Sequence, residues 1–210
     1  MHHEHLKSIL LFTFLLASYA INSAAQQIEA TNSWLDQRLV NWNRQGTNLP
    51  RLPRPVPTGE SPLSGRCREQ IRQPAAPSER AVVKMGWTLY GAAQIFGPAR
   101  LFTAMTGVDG MCRPLGYQAF VYSEGRYAGT LSPTPMNSRT DGALTTIRLT
   151  SATRISAEFA RYGDKDPLCC PSRISIVSYN LKPDEIPDLT PATVITSPTS
   201  QPQAPIKKSE

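Results

Sequence analysis

Beyond its first 25 residues the chain contains no histidine, since His2, His3 and His5 all stand at the extreme N-terminus. Once that end is removed, Ser-His-Asp and Cys-His catalysis are excluded, together with imidazole-ligated zinc, copper or non-haem iron. The chain also lacks a Gly-x-Ser-x-Gly elbow, a Ser-x-x-Lys pair, a P-loop and a dinucleotide-binding glycine pattern. Cys-x-x-Cys is missing too, although redox catalysts place it at a helix start and structural zinc sites use similar pairs. These gaps point to a non-enzymatic protein that needs no cofactor or metal.

What the N-terminus does contain is a leader. A polar stretch, Met1 to Ser8, precedes an apolar run from Ile9 to Ala17 that Ser18, Tyr19 and Asn22 then interrupt. That run suits the apolar core of a signal peptide and falls short of the about 20 apolar residues a membrane span needs. Ser23-Ala24-Ala25 supplies the small residues of a cleavage site, so residues 1–25 are expected to be removed. Loss of Glu4 and Lys7 cancels, leaving the net charge at +6, spread over arginines such as Arg51, Arg54, Arg66, Arg68 and Arg72. Nucleic-acid binding calls for a denser patch, and an exported protein seldom meets nucleic acid.

Four cysteines survive processing, Cys67, Cys112, Cys169 and Cys170, an even number in a compartment where disulfides persist. Neighbouring Cα atoms lie 3.80 Å apart, closer than disulfide-linked residues usually sit. The expectation is therefore that Cys169 and Cys170 each reach out, one to Cys67 and the other to Cys112, with the assignment open. Redox chemistry at the vicinal pair and a four-thiolate metal site are the functional alternatives to structural bridging.

Four segments follow from the pattern. Residues 1–25 are the leader. Residues 26–77 hold an amphipathic helix before Gly46, capped by Asn32 or Ser33 with Trp34, Leu35, Leu39 and Trp42 near helical spacing, and then a Pro/Arg-rich extended stretch. Its two tryptophans are expected to pack into the domain. Residues 78–181 form the dense domain, opening on a short helix at Ser78-Glu79-Arg80. Strands are expected over Trp87–Phe96, Arg100–Val108, Tyr117–Tyr122, Tyr127–Leu131, Thr146–Leu149, Arg154–Phe159 and Arg173–Tyr179, with a hairpin turn at Ser123–Arg126. Residues 182–210 form a Pro/Thr/Ser-rich tail expected to be disordered. The fold class is α+β or mainly β: a small antiparallel sheet domain with one or two helices, stapled by disulfides.

Two loops stand out as candidate ligand sites, Gly107–Pro114 and Leu131–Gly142. On them Arg113, Ser138, Arg139 and Asp141 could converge on an anionic or polyhydroxylated ligand, because binding residues concentrate on loops held by a rigid scaffold. Asp164 and Asp166 are spaced like part of a calcium loop but lack its remaining ligands, so a turn is expected there.

Phe120-Val121-Tyr122, then Gly125-Arg126-Tyr127-Ala128-Gly129-Thr130, Ala160-Arg161-Tyr162 and Asp166-Pro167-Leu168-Cys169-Cys170-Pro171-Ser172 together resemble the LppP/LprE lipoprotein family of bacterial envelopes. The resemblance spans roughly Ser78 to Leu181 and implies an extracytoplasmic domain, commonly lipid-anchored. It brings no catalytic residues. The first cysteine is Cys67, so no lipobox follows the apolar run, and a soluble periplasmic or secreted protein without a membrane span is expected. Its function is expected to be non-catalytic binding of a glycan, peptide or protein partner, such as a cell-envelope polymer or envelope protein. A thiol-disulfide oxidoreductase and a purely structural envelope component are the alternatives; oligomeric state is left open.

Overall fold

The computed structural model describes residues 33–44, 46, 49–63 and 65–199. The expected leader, the start of the expected first helix and the last eleven residues lie outside them. Among the described residues one α-helix, α1 (Pro77–Lys84), precedes β1 (Thr88–Phe96), β2 (Ala99–Met105), β3 (Gly107–Val108), β4 (Pro114–Leu115), β5 (Gln118–Ser123) and β6 (Arg126–Thr130). Then come β7 (Leu144–Ser151), β8 (Arg154–Arg161), β9 (Arg173–Lys182) and β10 (Asp188–Pro198). All pairing is antiparallel: one sheet runs β1-β2-β5-β6, a second β10-β9-β8-β7, and β3 with β4 makes a small ribbon.

Alternation along the strands explains how these sheets stack. Leu101 faces Val121 across β2 and β5 and joins Ile155, Ala157, Phe159, Val177, Tyr179 and Leu189 of the second sheet in one core. The next pair, Phe102 and Phe120, points the other way and stacks, with ring centroids 5.9 Å apart. It belongs to a second cluster with Val82 of α1, Trp87, Leu89 and Tyr122. Thus the first sheet is covered on both faces, which is why every residue of β5 is buried and its sequence reads as a nearly continuous apolar run.

The two seams of the sandwich are bridged by side-chain amides. At the β1–β7 seam, β1 bulges between Tyr90 and Gln94; Gln94 Nε2 donates to the Ile147 carbonyl at 2.8 Å, and its Oε1 accepts from Leu149 N–H at 2.7 Å. At the β6–β10 seam Asn43 does the same work for Thr130 and Leu189. In each case a side-chain amide supplies the donor and acceptor that a neighbouring strand would supply, satisfying backbone groups that burial would otherwise strand.

This use of Asn43 corrects the first expected helix. Among the described residues of this segment only Trp34–Asp36 forms a single 3-10 turn; residues 37–44 and 49–57 run as a non-helical strap. Asparagine and β-branched residues are poor helix formers, and Asn41 and Asn43 bond to β10 and β6 instead. The tryptophans do pack inward: Trp34 meets Phe159 edge-on at 5.2 Å and Trp42 at 5.0 Å.

The expected disordered tail is corrected as well. Residues 182–187 turn the chain and β10 then pairs with β9 through residue 198. Leu189 is fully buried, and Thr190, Thr193, Val194, Ile195 and Thr196 are β-branched. Pro191 sits at a bulge and Pro198 at the strand end, positions where a missing N–H costs the ladder nothing.

The disulfide expectation is overturned. Cys67, in the 3-10 helix Gly65–Gln70, bonds to Cys112, whose Cα is 5.2 Å away, and Cys169 bonds to Cys170. Cys112 occupies a left-handed conformation (φ 63°) in the β3–β4 loop, so the first bridge ties the extended segment to that ribbon. The vicinal pair lies exposed in the β8–β9 loop.

The short helix begins one residue before expected, with Pro77 in its first turn and Glu79, not Ser78, satisfying the free amides. Glu79 Oε2 accepts from Ala75 N–H at 2.6 Å and Ala76 N–H at 3.2 Å. Glu79 is fully buried and ion-paired with Arg72 at 3.0 Å and Arg100 at 3.3 Å.

Candidate binding cleft

The four residues expected to form a ligand site do not converge. Arg113 is committed inside its own loop, where Nε meets Asp109 Oδ2 and Asp109 Oδ1 accepts from Met111 and Arg113 N–H at 2.8 and 3.0 Å. Ser138 spends its hydroxyl on the Pro114 carbonyl at 2.8 Å, which joins the two loops but leaves that donor occupied. Asp141 belongs elsewhere: it accepts from Arg161 Nε and Tyr162 N–H, both at 2.9 Å. Arg139 is exposed in a left-handed turn conformation (φ 61°) without a carboxylate partner among the described residues. Each side chain except Arg139 holds a loop in shape.

Arg161 itself is structural. It is 1% exposed at the end of β8 and forked onto Asp36 and Asp141, with a third contact to Ser175 Oγ at 3.1 Å. The Arg161 hydrogen bond holds the Asp36 carboxyl below its ordinary 3.8, against the opposing effect of burial. This clamp fastens the start of the strap to the second sheet. Asp166 likewise ties its loop, accepting from Gly163 and Ser172 N–H at 2.7 and 2.8 Å, which agrees with a turn there.

A concave site lies instead where the strap crosses the β5–β6 edge. Trp42, Asn43, Leu49, Arg51 and Pro53 form one wall of a cleft of about 310 Å³; Gln118, Tyr127, Thr130, Pro133 and Pro135 form the other. Trp42 is oriented by its indole N–H, which donates to the Thr130 carbonyl at 3.1 Å, and by an edge contact to Tyr179. Gln118 is fixed by buried Ser132, whose hydroxyl donates to Gln118 Oε1 at 2.8 Å. Burial pushes the Tyr127 phenol well above its ordinary range, so it stays a neutral donor. Leu49 and Arg51 remain exposed at the lip.

Sequence reasoning had placed Trp42 correctly in the packing but saw no site, because the walls come from segments about 80 residues apart. The signal that could have found it is the proline pair Pro133 and Pro135 beside a Pro/Arg-rich stretch. No lining residue is a carboxylate, histidine, cysteine or lysine; the cleft holds stacking faces, amide groups, the Tyr127 and Thr130 hydroxyls and one guanidinium. The exposed vicinal cysteines lie between two strands and not at a helix start, away from the setting that activates redox thiols.

The fold and cleft thus define a disulfide-tied antiparallel β-sandwich with a recessed, mixed polar and aromatic groove. Residues 99–184, from β2 to just past β9, match the LppP/LprE lipoprotein family. The match leaves out α1, β1 and β10, each of which the fold uses to cover or extend a sheet. Neither a curated protein nor a solved structure matches the chain. Among the described residues no helix is long and apolar enough to cross a membrane.

Proposed function

We propose that this protein is an exported, non-catalytic envelope protein that binds an extended envelope polymer in the cleft between the strap and β6. The observation that carries this reading is the cleft itself. Its aromatic rings Trp42 and Tyr127 suit the faces of a glycan chain, and the Arg51 guanidinium exposed at the lip suits its oxygen substituents. Its volume of about 310 Å³ lies at the small end of ligand sites, fitting a short stretch of chain held along an open groove. The match of residues 99–184 to a lipoprotein family supports an envelope location. The leader at residues 1–25 supports release into the periplasm or medium.

Co-sedimentation with isolated cell-wall material tests this function. Wild type and Arg139→Ala should pellet alike, and Pro135→Trp, which fills the groove from an exposed position, should stay in the supernatant. Equal recovery of all three would remove the cleft from the account, and no recovery of any would point to a purely structural component.

A further inference from the structure

Between Gln37 and Gly59 the strap contains four arginines, Arg38, Arg44, Arg51 and Arg54, and no carboxylate. Of the acids that flank it, Asp36 is held by Arg161, and Glu60 marks the backbone bridge to Val108. All four arginines are exposed. Among the described residues none has a carboxylate within ion-pairing distance, whereas Arg72, Arg100, Arg113, Arg126 and Arg161 all do. Other arginines, among them Arg139, Arg148 and Arg173, also lack such a partner among the described residues; what marks the strap is a run of four arginines with no acid between them.

The limb from Leu49 to Pro57 also displays its charges at a set spacing. Pro50, Pro53, Pro55 and Pro57 restrict the backbone, and exposure repeats every third residue, with Arg51, Arg54 and Pro57 outward and Leu52, Pro55 and Thr58 more covered. That is the period of a polyproline II helix, whose 3.1 Å rise puts Arg51 and Arg54 on one side about 9 Å apart. The limb is anchored from beneath: Trp87 Nε1 donates to the Pro53 carbonyl at 2.9 Å, and Leu52 packs on the Phe102–Phe120 cluster. The guanidinium groups therefore stand on a stiff, pinned segment that loses little conformational freedom on binding.

We infer that the cleft takes a linear anionic polymer, whose repeated charged groups pair with Arg51 and Arg54 while its backbone passes over Trp42 and Tyr127. This rests on the cleft as the binding site and adds the sign and the repeat of the ligand's charge. Guanidinium matches phosphate and carboxylate oxygens through paired N–H donors. One small anion would occupy one arginine; two arginines at a fixed separation match a repeating polyanion. A flat anionic bilayer fits less well, because Trp42 and Tyr127 are half-buried behind the exposed lip and a planar surface cannot reach them.

Binding of the exported chain to four probes distinguishes these sources: a poly(glycerol phosphate), polygalacturonate, a neutral chitin oligomer and phosphatidylglycerol vesicles. The expected result is binding to one or both anionic polymers over the neutral one. Arg51→Gln/Arg54→Gln, with an unchanged thermal transition, should weaken it by roughly tenfold or more, the scale of one lost charge-assisted contact. Added salt should weaken it too. Equal binding of the neutral oligomer, untouched by the double substitution, would overturn the anionic inference and leave the cleft standing. Binding of no polymer would overturn both, and binding of vesicles alone would replace the polymer with a lipid surface.

Discussion

Asn43 and Thr130 exchange both hydrogen bonds of a ladder pair, though only one of them lies in a strand. Thr130 N–H donates to Asn43 Oδ1 at 2.8 Å, and Asn43 Nδ2 donates back to the Thr130 carbonyl at 3.1 Å and onward to Leu189 at 3.2 Å. One side chain thereby closes the seam between the sheets and sets a wall of the cleft. Asn43→Ala takes the amide from the Thr130 N–H and the Leu189 carbonyl and leaves the Thr130 carbonyl with the Trp42 indole alone, and should cost about 2 kcal/mol. Gly129→Ala places a methyl group into the Asn43 amide at a left-handed φ of 147°, and should destabilise to a similar degree. Urea unfolding checks both, with Arg139→Ala as the near-neutral comparison.

The two disulfides should differ sharply in worth. Cys67–Cys112 spans 45 residues, for which chain-entropy arguments give about 4 kcal/mol, whereas the adjacent Cys169–Cys170 constrains almost no unfolded-state freedom. Cys67→Ser/Cys112→Ser should lower the denaturation midpoint strongly and Cys169→Ser/Cys170→Ser hardly at all. Non-reducing peptide mapping should find Cys67 and Cys112 peptides linked, and Cys169 with Cys170 in one unlinked peptide.

Acid should loosen the strap first. Asp36 has its carboxyl lowered in the folded protein by its hydrogen bond from Arg161, so the stability it adds is present above the unfolded carboxylate range. That contribution is lost as pH falls through the folded value, below about 4. The stability advantage of wild type over Asp36→Asn should be full near neutrality and shrink as pH falls below the unfolded carboxylate value of about 4. Denaturation midpoints across that range check the sign.

Glu79 is the charge whose loss should be felt most. It is fully buried, and hydrogen bonds from Ala75 and Ala76 together with Arg72 outweigh the opposing effect of burial and keep its carboxyl low. Glu79→Ala unpairs Arg72 and Arg100 and frees two helix-start amides, at an expected cost of about 3 kcal/mol. Thermal unfolding of the variant, compared with Glu124→Ala at an exposed pair, measures it.

Strands whose side chains alternate, such as Arg154–Phe159 and Arg173–Tyr179, were readable because one face is buried and the other wet. The family resemblance was readable from the Cys-Cys-Pro-Ser block and the Gly125–Thr130 run. What could not be read were features set by distant partners. Leu39 to Asn43 looks helical until β6 and β10 take its amides. Residues 188–198 look disordered by proline count, because the count ignores that Pro191 and Pro198 occupy a bulge and an end. The vicinal disulfide runs against the usual Cα separation of bridged cysteines and the strain of its small ring. Arg113, Ser138 and Asp141 were chosen for composition, and each turned out to be spent on a loop, while the cleft depended on Gln118 and Tyr127 meeting a strap from far upstream.

The central claim is that the cleft beside Trp42 is where this protein engages its ligand. A two-dimensional NMR titration of the labelled protein with fragments of poly(glycerol phosphate) or polygalacturonate tests it most directly. The account predicts saturable shifts of the Trp42 indole N–H, the Asn43 side-chain amide and the Thr130 backbone N–H, with the Arg113 and Ser138 loops unmoved. Shifts confined to those loops or to the Cys169–Cys170 loop, or no shifts at all, would contradict it.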